Sequence, residues 1–133
     1  MFGYIAGLPA FLAYFIAGIV LLGAFAAAYA GVTPHRELAL IKGGNGAAVL
    51  GYLGAILGFS LPLASAAANS VSIADFILWA IIGAVIQIGA FFVASASMSD
   101  LPRRITDGEV AAGAWAGGIA LAVGLLNAAC MTY

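Results

Sequence analysis

Charge is what this sequence has least of. Of its 133 residues only 9 are Asp, Glu, Lys or Arg, or 7%, against roughly a quarter in a soluble domain. Four basic residues make no electrostatic footprint on phosphates, which excludes nucleic acid as a partner. One cysteine, Cys130, allows no intramolecular disulfide; it lies in an apolar run and is expected to be a buried thiol. The only histidine, His35, has no second histidine with which to build a metal set. No Ser, Cys or His stands beside a helper base at nucleophile spacing. No catalytic, metal or cofactor site is expected, and the chain reads as a non-enzyme. Strict alternation of apolar and polar residues, the mark of a membrane β-barrel, is also missing.

What is present is apolar: 65% hydrophobic residues and a mean hydropathy of +1.18. A chain of this length cannot hide so much apolar surface from water, so its partner is the lipid bilayer. Charges and turn residues cut the sequence into four apolar segments at about 4–32, 47–69, 76–97 and 110–131. Each reaches the roughly 20 residues that about 30 Å of hydrocarbon requires of a helix. Helices satisfy every backbone N–H and C=O within the segment, as lipid demands. The fold class expected is all-α, an integral membrane four-helix bundle forming a single membrane domain over 1–133. The first segment has a cleavage-like AAAYA at 26–30 but lacks a preceding basic region, so it reads as a membrane helix and not as a secretion signal.

The basic residues set the topology. Arg36, Lys42, Arg103 and Arg104 all fall in the connections 33–46 and 98–109. The positive-inside rule makes these two loops cytoplasmic and both termini periplasmic. Tyr4, Trp79 and Tyr133 are expected at the outer membrane boundary, and Tyr29, Tyr52 and Trp115 at the inner one.

The two cytoplasmic connections follow a common plan. TPHRELALIKGGNG opens on a proline turn, passes Leu38, Leu40 and Ile41 along the membrane surface and breaks at Gly43 and Gly44, with Asn45 placed to cap the next helix. LPRRITDGEV repeats this: Ala47 and Ala48 match Ala111 and Ala112, and Gly54 matches Gly118, at a constant offset of 64, while Pro34 pairs with Pro102 four residues further apart. Two helical hairpins of the same orientation, a parallel repeat, are implied.

Small residues recur at helical spacing in all four segments. They are Ala6, Ala10, Ala13, Ala17, Ala24, Ala27 and Gly31 in the first, and Ala47, Gly51, Gly54, Gly58, Pro62, Ser65 and Asn69 in the second. Gly83, Gln87, Ala90 and Ala94 follow in the third, and Gly113, Gly117, Ala120, Gly124 and Asn127 in the fourth. In lipid such faces let backbones approach closely, so every helix is expected to have a packing partner. The second and fourth stripes do not superpose at the 64-residue offset.

Polar groups at membrane depth are few. Ser65, Asn69 and Asn127, with Asp75 at the start of the third segment, are placed to share an outer polar pocket, and Gln87 is the most central. Capping and interhelical hydrogen bonds explain the same residues. No ionisable residue lies near a helix centre, which argues against a proton antiporter. In the first loop His35, Arg36, Glu37 and Lys42 form a candidate cytoplasmic docking surface, His35 and Glu37 being read as structural turn residues.

The blocks TPHRELALIKGGNGAA, LGFSLPLASAAANSVSIAD and LLNAACMTY together closely resemble the YjfL-type bacterial inner-membrane proteins, a family of unknown function, along nearly the whole chain. The resemblance implies four membrane helices in two related hairpins, a bacterial inner membrane and no assigned catalytic residue. It also implies a setting near envelope-stress proteins of the PspA kind and ATP-grasp ligases similar to glutathionylspermidine synthetase. The function expected is a homo-oligomeric, channel-like or scaffold component in membrane stress, with a cytoplasmic stress-response protein as partner. The alternative is a transporter for a polyamine-like small molecule.

Overall fold

The structure, a computed structural model, describes residues 6–131. Among the described residues six helices follow one another: α1 Leu8–Val32, α2 Glu37–Lys42, α3 Gly46–Asn69, α4 Ile73–Ser97, α5 Leu101–Thr106 and α6 Val110–Ala129. No strand occurs among the described residues, and α1, α3, α4 and α6 are long and apolar enough to cross a membrane. The protein is an all-α membrane bundle of two hairpins. Tyr4 and Tyr133, the outermost aromatics of the expected belts, lie outside the described residues.

Local chemistry sets the ends. The third long helix starts at Ile73 and not at 76, because Ser72 Oγ accepts the Asp75 N–H and Asp75 Oδ2 accepts the Val71 N–H. α6 stops at Ala129, and the turn there sends Met131 into the core and Cys130 outward. The cysteine expected to be buried is therefore exposed.

Each of the two charged connections, 33–45 and 98–109, contains a helix of six residues, and the two are copies bond for bond. Gly44 N–H reaches Ile41 O and Asn45 N–H reaches Leu40 O; Gly108 N–H reaches Ile105 O and Glu109 N–H reaches Arg104 O, each 64 residues on. Both glycines are left-handed, φ +86° and +82°, as a helix-terminating loop of this type requires. The proline pairing fails. Pro34 lies in the linker before α2, whereas Pro102 is in the first turn of α5, where the offset puts Leu38. The linker before α2 is one residue longer, so α1 and α4, each 25 residues long, correspond at an offset of 65.

The tightest packing is between the parallel helices α3 and α6. A Cβ at Gly54 would strike the Gly117 backbone, one at Gly113 the Ala47 backbone, and one at Gly124 the Gly58 backbone. Gly51 is less demanding, its nearest neighbour lying 3.8 Å from a Cβ. The proline ring of Pro62 leaves the Gly58 carbonyl without its helical donor, and that carbonyl lies against Gly124. α4 covers this pair with Gly83, Gln87, Ala90 and Ala94, all buried.

α1 packs differently. Phe25 stacks on Phe59 with ring centroids 4.4 Å apart, Tyr14 meets Phe76 at 5.4 Å, and Tyr52 Oη donates to Ala26 O at 2.8 Å. Of the small-residue stripe expected in the first segment, Ala6, Ala10, Ala13, Ala24, Ala27 and Gly31 are exposed, and Ala17 alone packs, half-buried, against the core. Tyr29 and Tyr52, expected at the membrane boundary, are core residues.

Candidate functional site

The largest departure from an apolar interior is at the entry to α2. The chain turns at Thr33, whose Oγ1 donates to Ala30 O at 3.3 Å, and this turn carries His35 and Glu37 inward while Pro34 and Arg36 face out. His35 Nε2 and Glu37 Oε1 lie 2.7 Å apart, each side chain 1% exposed. The His35 ring packs on Phe91 of α4 at 5.8 Å, and the pair lies within electrostatic range of the Tyr29 and Tyr52 phenols. Burial raises the Glu37 carboxyl above its ordinary 4.5, and the His35 hydrogen bond lowers it part of the way back. His35 Nδ1 and Glu37 Oε2 have no hydrogen-bond partner among the described residues.

The second repeat shows what the fold alone requires here. The counterpart of Glu37 is Leu101, which is fully buried. An apolar side chain suffices to seat the short helix, so an ionisable pair at the same place in α2 is an addition to the fold and not a condition of it.

Midway along α4 Gln87 Nε2 donates to Ala120 O at 2.6 Å, and toward the end of α6 Asn127 Nδ2 donates to Gly83 O at 3.1 Å. Ser65 Oγ donates to Ala128 O at 2.9 Å, and Asn69 Nδ2 donates to Ser65 O at 2.8 Å. Asp75 bonds the turn that starts its own helix. These five residues thus hold backbone carbonyls or a helix start, and they are spread over more than two helical turns. Gln87 Oε1 is buried with no hydrogen-bond partner among the described residues.

The candidate docking set is split. Arg36 and Lys42 are exposed, while His35 and Glu37 are inside. The other loop carries its charge in water: Arg104 binds Glu109 at 3.0 Å, which raises its guanidinium further, and Arg103 binds Asp100 at 3.2 Å. Asn45 caps α3 through Oδ1 to the Ala48 N–H, as expected, and its Nδ2 also donates to Ile105 O at 2.8 Å, tying the two loops together. Sequence reasoning missed that bridge; the matching position of Asn45 and Glu109 just before the two long helices was its only trace. Among the described residues no three His, Cys, Asp or Glu are grouped to hold a metal.

An apolar groove of about 380 Å³ opens between α1 and α3, with Gly18, Leu22, Ser60 and Leu63 on its walls and Phe76 at its floor. None of the candidate polar residues lines it.

The model of a family described as a domain of unknown function, DUF350, matches residues 3–131. The chain is 44% identical over 126 residues to the UPF0719 inner membrane protein YjfL of Escherichia coli (strain K12), across 95% of this chain and 96% of that protein. The same figures hold for the protein of that name from Escherichia coli O157:H7. No solved structure matches.

Proposed function

The chain belongs to the DUF350 family, and from that premise we propose that it is a self-associating scaffold of the bacterial inner membrane whose cytoplasmic face meets a soluble partner. One observation carries the reading. The α3–α6 contact uses Gly54, Gly113, Gly117 and Gly124 inside the molecule, yet exposed small residues remain on α1 and on α6, where Gly118 has nothing within 4 Å of a Cβ. Hydrophobic attraction between helices vanishes in lipid, and such faces gain most against another backbone.

In this reading the positive-inside rule puts α2, α5 and their basic residues in the cytoplasm and both termini in the periplasm. Arg36, Lys42 and Arg103 are the exposed cations offered to a partner, and a membrane-stress protein is the kind of partner the family resemblance suggests. A conducting path, if the assembly has one, runs between chains, since Gln87, Asn127 and Ser65 are bound to backbone carbonyls within one chain. The same bonds weaken the polyamine-transport alternative, whose sharpest test is Asp75→Asn: unchanged uptake in reconstituted vesicles removes it.

Mass measurement in nanodiscs tests the main reading. Multimers are expected; a strict monomer overturns it.

A further inference from the structure

Each helix of the first hairpin has a counterpart in the second. On α1 and α4, Phe11 corresponds to Phe76, Tyr14 to Trp79 and Gly18 to Gly83; on α3 and α6, Gly54 corresponds to Gly118, Leu61 to Leu125 and Ala64 to Ala128. The two hairpins nonetheless do not meet through equivalent faces. α3 presents Ala47, Gly54 and Gly58, whereas α6 presents Gly113, Gly117 and Gly124, whose counterparts on α3 are Val49, Leu53 and Ser60. Two positions along a helix are a rotation of about 200°, so α6 uses nearly the opposite side from α3. The contact is head-to-tail: the front of hairpin one fits the back of hairpin two. The mismatch of the two glycine stripes at the 64-residue offset follows from this.

The back of hairpin two is the cleft between α4 and α6, and α3 fills it. Gly58 packs against Gln87 and Gly124, and Pro62 lies 3.5 Å from the Cβ position of Gly83. The same cleft in hairpin one, with Gly18 in place of Gly83, Leu22 in place of Gln87 and Ser60 in place of Gly124, is the open apolar groove. The front of hairpin two is also open: Gly118, Ala122 and Leu126, the counterparts of Gly54, Gly58 and Pro62, are exposed, Leu126 by 70%.

We propose that the groove between α1 and α3 receives α6 of a second copy of this chain, Ala122 lying over Ser60 and Leu126 over Gly18. The intramolecular contact is the pattern for the intermolecular one. Both hairpins run the same way through the membrane, so the docked copy has the orientation that insertion already imposes on every copy. α1, with 6% of its apolar core segment buried against 33% in α4, gains the cover that α3 gives α4. A head-to-tail contact leaves one groove and one α6 front free after every addition, so it extends into rows or closed rings and does not stop at a dimer.

This inference specifies the contact behind the self-association proposed above. The test uses the full chain in native membranes, with Cys130→Ser removing the only natural thiol. Oxidation of mixed Ser60→Cys and Ala122→Cys chains is expected to give disulfide dimers, neither variant giving them alone, and a chain carrying both is expected to give a ladder. Gly118→Ile, whose side chain meets open space within the monomer, is expected to cut the dimer yield about tenfold, the effect of a modest loss of contact energy. Val85→Cys, exposed on α4, is the control partner for Ser60→Cys. If nanodiscs hold multimers but Ser60 and Ala122 do not link, or Val85→Cys links equally well, the docking mode falls and self-association stands. A strict monomer overturns both.

Discussion

Glu37 and Leu101 occupy one position in two copies of one design, and Gly54 and Gly118 occupy another. The short helices that begin at Glu37 and Leu101 end in the same hydrogen bonds, yet the first buries an acid against a histidine and the second buries a leucine. A Cβ at Gly54 would strike a facing backbone, whereas one at Gly118 would meet nothing within 4 Å among the described residues. The backbone repeat defines positions, and the surroundings decide what each position costs or contributes.

The glycine pair separates the hairpins most strongly. Gly54→Leu forces the α3 and α6 backbones apart and is expected to cost about 3 kcal/mol or more, whereas Gly118→Leu leaves monomer stability unchanged; reversible unfolding in mixed detergent measures both. Equal losses would mean that α3 and α6 do not meet as described.

The caps come next. Asn45→Ala removes the Ala48 cap and the bond to Ile105 O, with an expected loss of about 1–2 kcal/mol. Its counterpart Glu109→Ala loses only a solvent-exposed pair with Arg104, so its unfolding midpoint stays at the wild-type value.

The acid and the leucine differ in pH response. Glu37 has a folded-state value raised above its unfolded one, so its contribution is complete below the ordinary 4.5 and is lost as pH rises through the raised value. Glu37→Gln removes this dependence, and the gap between its thermal midpoint and that of the wild type shifts in the variant's favour as pH rises from 4.5. A constant gap would mean that Glu37 is solvated. The smallest effect is expected from making the buried site at the start of α2 apolar, as the counterpart position Leu101 is. His35→Phe with Glu37→Leu replaces a buried ionisable pair by apolar groups and leaves stability within about 1 kcal/mol of wild type or slightly above it; a fall of several kcal/mol would show that the pair is part of the fold.

Much of this architecture was legible in the sequence. Long uncharged runs in a chain with so few charges have only one solvent open to them, and the offset of 64 appeared in Ala47, Ala48 and Gly54 with their matches. Pro34 was wrongly paired with Pro102, because a proline serves equally in the linker before a helix, as at Pro34, and in a helix's first turn, as at Pro102. His35 and Glu37 looked like turn residues of a surface, since a histidine and a carboxylate two positions apart read alike whether they face water or Phe91. The backbone partners of the polar residues were not legible, because helical spacing gives the direction of a side chain but not the carbonyl that waits for it: Ser65 meets Ala128 O and Asn127 meets Gly83 O.

By itself the sequence determined the bilayer as solvent, four crossings, paired hairpins of one orientation and helix faces made for close approach, because hydropathy, charge and residue size act locally and are additive along a helix. Which of those faces meet, and that α6 turns nearly its opposite side to α3, only the tertiary structure decided. Several faces on each helix are small enough to pack, and the choice among them rests on all four helices fitting at once.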